Sequence, residues 1–274
     1  MDETVNAARA DLSDPARFLR DARRDLALVP RISWRLFRGQ LRIDYRQSRF
    51  PHVWLLLAAV ATTFIVVHLR SRGVIDAEEG PVPYGLHVLV GILLWQIFVE
   101  AVNLPLRQLT TRQRLISHSR VPHEALIVAG CFELALTAAA RVVLLVVVLA
   151  VSGAAPTASL LLVPLGAAAL VLLGLGFGLL AAPWGLLYGD VGRGLLFVMA
   201  LWFFITPVIY SAPDSVLMRL NPVTPLLDAT RSWLTGGTSE YGGLLAACAL
   251  AVVLVGAAWA VLRLARPHVV ARLG

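Results

Sequence analysis

Polar and apolar positions change their rhythm near residue 50. Before it, charged and apolar residues mix at helical spacing, and beyond it long apolar runs alternate with short polar stretches. Six runs approach or meet the ~20 residues that a helix needs to cross a hydrocarbon core. They cover 53–69, 85–106, 125–151, 160–182, 194–210 and 243–264. The first is short by that measure, and the fifth ends in ITPVIYS, where Pro207 and Tyr210 suit a kink or an interfacial anchor. The pattern predicts an all-α integral membrane fold of six transmembrane helices, spanning 51–266.

Ahead of the first run, arginines recur at 31, 35, 38, 42, 46 and 49, along one side of a helix. Trp34, Phe37, Leu41 and Tyr45 form an apolar stripe beside them, and Ile32, Leu36 and Ile43 fall on a further face. Residues 31–50 are therefore predicted as an amphipathic interface helix, its aromatic stripe in the acyl boundary and its guanidiniums on lipid phosphates. The extra apolar face implies contact with protein as well as lipid. Pro51 disfavours helix at Phe50 and suits the first turn of the next one. The junction thus reads as a turn from the membrane surface into span one.

Composition agrees, with 58% hydrophobic and 15% charged residues, and a formal charge of +7 carried entirely by arginine. Nineteen arginines fall on one set of connecting segments and four on the other, so both termini are expected in the cytoplasm of a multi-pass plasma-membrane protein. The basic balance fits anionic lipid, and no nucleic-acid module is present. The polar first fifty residues do not suit a cleaved signal. Residues 1–30 are expected to be a cytoplasmic extension, 105–124 a cytoplasmic loop, and 267–274 a cytoplasmic tail. Residues 211–242 alternate leucines and prolines with Arg219, Asn221, Asp228 and Arg231, which predicts two short helices broken at Asn221-Pro222 in a re-entrant hairpin.

Chemistry is sparse. Cys131 and Cys248 lie in apolar runs without metal-ligand spacing. Glu100, Glu133 and Arg141 lie inside predicted spans. Glu133 and Arg141 are a rise of ~12 Å apart on one helix and cannot pair closely. Glu100 and Glu133 either face a shared cytoplasmic vestibule or hydrogen-bond a neighbouring helix. GLGFG at 174–178 lies in a span, so Gly174 and Gly178 read as close-packing positions. There is no Walker sequence, hence no expected ATP site or cofactor in this chain and no catalytic or metal residue.

Four stretches together resemble the membrane (permease) subunit of type-2 ATP-binding-cassette exporters, in the branch that exports polysaccharide, O-antigen or teichoic acid. They are LRIDYRQSRFPHVW, NLPLRQLTTRQRLISHSRVPHEAL, YGDVGRGLLFVMALWFFITPVIYS and LNPVTPLLDATRSWLTGG. Two departures are present: Gly189-Asp190 stands where the family has Arg-Asp, and Arg49-Phe50-Pro51 follows the Tyr-Arg-x-Ser motif where leucine-glycine is usual.

The resemblance implies a transport subunit that is not itself an enzyme, paired with a second copy of itself and with two copies of a separate ATPase that binds ATP and Mg. It places ATPase coupling at Arg112, Arg114, His118, Arg120 and Pro122, the interface helix at Arg42, Tyr45 and Arg46, and the outer gate at Asn221, Pro222 and Arg231. Trp54, Trp202, Phe203, Phe204 and Tyr210 are candidates for the substrate path, since sugar rings stack on flat apolar faces, or else lipid-facing anchors. The expected cargo is a lipid-linked glycan. The alternatives are export of a small drug or lipid and, in another class, a membrane-embedded glycosyl- or phospho-transferase.

Overall fold

The structure is a computed structural model that describes residues 15–47, 50–73, 83–112, 121–152, 158–210, 216–235 and 241–273. Those residues form helices and their connections, with no strand among them. In chain order the helices are α1 (Pro15–Gln47), α2 (Pro51–Ser71), α3 (Tyr84–Thr111), α4 (His123–Val151), α5 (Val163–Leu187), α6 (Asp190–Ile205), α7 (Val216–Arg219), α8 (Val223–Thr235) and α9 (Tyr241–Leu273). A 3-10 turn, Ala158–Leu162, leads into α5.

Among the described residues five stretches are long and apolar enough to cross a membrane: Val53–Ser71, Tyr84–Thr111, His123–Val151, Ala158–Leu187 and Tyr241–Ala265. The protein is a multi-pass helical membrane protein. The stretch expected over 194–210 instead becomes the 16-residue α6, which begins at Asp190 and stops at Ile205. The helix stops early because Pro207 has no N–H to offer, and Thr206 turns extended before it.

Two boundaries expected from the sequence are corrected. The interface helix does not begin at residue 31: α1 runs unbroken from Pro15 through Pro30, and its periodic arginines mark only its second half. The loop expected from 105 is helical to Thr111, with Pro105 inside α3. Both helices tolerate their proline because they pack on neighbours, and α3 is the most enclosed of the candidate membrane spans, with Leu93, Ile97, Phe98 and Leu104 sealed from solvent. The break at Pro51 is present, with Phe50 as N-cap and Pro51 in the first turn of α2.

The core sits around α3. On α5, Gly174 and Gly178 lie against the α3 backbone, where a Cβ on Gly178 would collide with the Val102 carbonyl oxygen. Only glycine lets the two backbones approach this closely. Outside this core, α2 turns Trp54, Phe64 and Ile65 outward, and α6 does the same with Phe197 and Phe204, as expected of surfaces that meet lipid. By contrast α1 packs on α4: Val29, Ser33 and Phe37, spaced by four, are buried, and Trp34 and Phe37 both lie against Phe132 at 5.6 and 5.7 Å. The face that points to protein is therefore offset from the predicted stripe, since Trp34 and Tyr45 remain about half exposed.

Candidate functional site

Two polar clusters stand out, one where α6 ends and one between α1, α3 and α4. At the end where α6 stops, Asn221 and Pro222 immediately precede α8, and the Asn221 side chain caps the first turn of that helix. Its Oδ1 accepts from the Val223 N–H at 3.1 Å and from Trp202 Nε1 at 3.1 Å. Its Nδ2 donates to Thr206 Oγ1 at 2.9 Å, and that hydroxyl donates to the Trp202 carbonyl at 3.0 Å. One asparagine thus ties the last turn of α6 to the first turn of α8. Arg231, buried on α8, donates to the carbonyls of Pro207 and Val208 at 2.6 and 2.5 Å, two groups that the end of α6 leaves without helical partners. Gly91 on α3 makes room for this contact, because a Cβ there would strike both the Val208 carbonyl oxygen and the guanidinium.

The predicted aromatics divide between different surroundings. Trp202 packs edge-on against Phe98 at 5.4 Å and Phe177 at 5.2 Å, and Phe203 meets Trp95 at 5.8 Å. Trp54 on α2 and Phe204 on α6 face outward. Tyr210 donates its hydroxyl to the Phe204 carbonyl at 2.7 Å.

The second cluster joins α1, α3 and α4. Glu100 on α3 accepts both terminal nitrogens of Arg141 on α4, and Thr137 also donates to it at 3.2 Å. Arg141 is fully enclosed, so this carboxylate is its counter-ion inside the apolar bundle. Two turns nearer the start of α4, Glu133 accepts from Gln108 at 3.0 Å and from Arg112 at 3.4 Å. Gly130 is required beside it, since a Cβ would lie 2.7 Å from Gln108 Nε2. Both acids line a cavity of about 330 Å³, together with Phe37, Asp44, Leu55 and Arg107. Each acid thus bonds a neighbouring helix, and both line the same cavity. No group of three or more His, Cys, Asp or Glu that could hold a metal occurs among the described residues.

Of the residues expected to couple to an ATPase, Arg112 and Pro122 flank the segment, while Arg114, His118 and Arg120 lie outside the described residues. Arg42, Tyr45 and Arg46 are on the last turns of α1, where Tyr45 is about half exposed. Sequence reasoning missed the role of Arg141 as partner of Glu100. It also missed a buried ion pair between Glu124 on α4 and Arg263 on α9 at 3.0 Å. The available signal was that one arginine and two acids in apolar runs need partners on other helices.

No protein-family model matches the chain. It is similar to two curated proteins of Klebsiella pneumoniae, each described as O-antigen export system permease protein RfbA. Each is 21% identical over 207 residues, covering 73% of this chain and 79% of the relative. The resemblance to the membrane subunit of a type-2 ATP-binding-cassette exporter, in the polysaccharide branch, stands on both the four motifs and these relatives.

Proposed function

We propose that this chain is the transmembrane subunit of an ATP-driven exporter that moves a lipid-linked polysaccharide across the plasma membrane. The observation that carries the reading is the similarity to O-antigen export permeases over 73% of the chain, beside the four stretches that resemble the exporter family. In this reading α6 is the fifth of six spans, residues 211–242 re-enter from the outer face, and both termini are cytoplasmic. Two copies form the path, and two copies of a separate ATPase bind ATP and Mg and dock on the segment between Arg112 and Pro122. Trp202 and Phe203, Trp54, Phe204 and Tyr210 offer flat faces to sugar rings, with Asn221, Pro222 and Arg231 shaping the outer gate.

The test is gentle solubilisation of the tagged chain from its native membrane, with mass spectrometry of what is retained in near-equal amount. An ATP-binding-cassette ATPase that is lost when residues 107–120 are replaced supports the reading. Absence of any such ATPase in detergent and in nanodiscs refutes it. Stimulation of hydrolysis that does not depend on glycan-chain length would favour a small drug or lipid as cargo, consistent with the Arg49-Phe50-Pro51 departure from the polysaccharide motif.

A further inference from the structure

Two described residues on either side of the segment 113–120, Arg112 and Glu124, are each bonded to other helices. At its leading end Arg112, the C-cap of α3, donates through one nitrogen to Glu133 of α4 at 3.4 Å and to Gln40 of α1 at 3.5 Å. Gln40 is oriented for this by its own amide, which donates to Asp44 at 2.9 Å. Glu133 is oriented by Gln108 at 3.0 Å. A continuous chain of polar contacts therefore runs from Asp44 and Gln40 through Arg112 to Glu133 and Gln108, across three helices. At the trailing end Glu124 is bound to Arg263 of α9, and both side chains are at least nine-tenths buried.

We infer that Arg112, Glu133 and Gln40 form a clamp that makes α1 move with the coupling segment when the ATPase binds nucleotide, which makes Glu133 and Gln40 positioning residues for energy coupling. The inference rests on the exporter reading, because it takes 113–120 as the ATPase contact. Its physical basis is that Arg112 lies next to the segment and is largely withdrawn from solvent, so displacement either carries its partners along or leaves a poorly solvated guanidinium unpaired. Packing alone would not single out these residues. The apolar contact between α1 and α4 runs through Phe37, Trp34 and Phe132, about one turn or more from Gln40.

The experiment uses the full complex with its ATPase, in nanodiscs of phosphatidylethanolamine and phosphatidylglycerol. Cys131 and Cys248 are replaced by alanine, and an environment-sensitive fluorophore is placed at Gly39→Cys, a position on α1 with open space around it. Addition of ATP should change the fluorescence in the otherwise unaltered chain. In Arg112→Glu and in Glu133→Arg, the fluorescence change, read relative to the ATP hydrolysed by each complex, should fall about fivefold or more, and the combined swap should recover at least about half of it.

A fluorescence change within about twofold of the parent in both single variants overturns the inference, as does a loss that the swap leaves unrepaired. Should the reversed charges keep the chain from the membrane, Glu133→Gln carries the test: a two- to threefold fall, roughly, supports the clamp and an unchanged signal overturns it. A parent complex that holds and runs its ATPase yet shows no response at position 39 overturns the clamp alone, whereas a chain that retains no ATPase refutes the exporter reading itself.

Discussion

Replacing Asn221 with alanine should loosen the end of α6 from α8 and lower stability by an amount that can be assembled bond by bond. Loss of the N-cap of α8 costs about 1 kcal/mol. The Trp202 indole N–H, bonded to Asn221 at 3.1 Å and packed between Phe98 and Phe177, loses its acceptor, a penalty of roughly 1–3 kcal/mol for a half-buried donor. Thr206 keeps its bond to the Trp202 carbonyl and loses less. The total is on the order of 3 kcal/mol.

A double-mutant cycle isolates the indole bond. Trp202→Phe alone should be destabilising, but in the Asn221→Ala background it should cost about 1 kcal/mol less, because the acceptor is already gone. Unfolding in mixed micelles by increasing denaturing detergent, followed by tryptophan fluorescence and by far-UV circular dichroism, reads all four corners. Additive changes within about 0.5 kcal/mol would refute the idea that this hydrogen bond joins the two helices.

The same assay checks other claims. Glu100→Leu should cost about 3–5 kcal/mol by stranding the enclosed Arg141, and adding Arg141→Leu should recover much of that loss. Equal destabilisation in the single and double variants would sink the pairing argument. Gly178→Ala, with a methyl forced onto the Val102 carbonyl, should cost about 2 kcal/mol, whereas Gly189→Ala, in open space, should stay within about 0.5 kcal/mol. Arg231→Lys should be destabilising by roughly 2 kcal/mol, since an ammonium lacks the planar fork that reaches the Pro207 and Val208 carbonyls together. Wild-type stability in that variant would show that the fork is not what caps them.

Long apolar runs were legible in the sequence because hydropathy depends on composition, and composition survives without any knowledge of partners. The glycines of GLGFG were legible for a related reason: small residues in a span have few uses other than close approach. Helix α1 was legible only from Arg31, since its first half carries charges without a clear apolar face. The pairing of Glu100 with Arg141 was not legible, because 41 residues separate them on two different helices and only helices in register reveal such a contact. Asn221-Pro222 declared a helix start. That its amide would also hold Trp202 and Thr206 depended on where α6 ends, which Pro207 decides.

The capping of Pro207 and Val208 by Arg231 has a consequence for synthesis. The arginine follows these carbonyls by 24 and 23 residues, so at ~5–20 residues per second the chain waits on the order of seconds before it is made. Until then the end of α6 has two carbonyls that only water or the insertion machinery can satisfy. The end of α6 is thus an unfinished surface until α8 is made, and a released chain truncated between positions 210 and 231 should be more open to protease at the end of α6 than one that continues past α8.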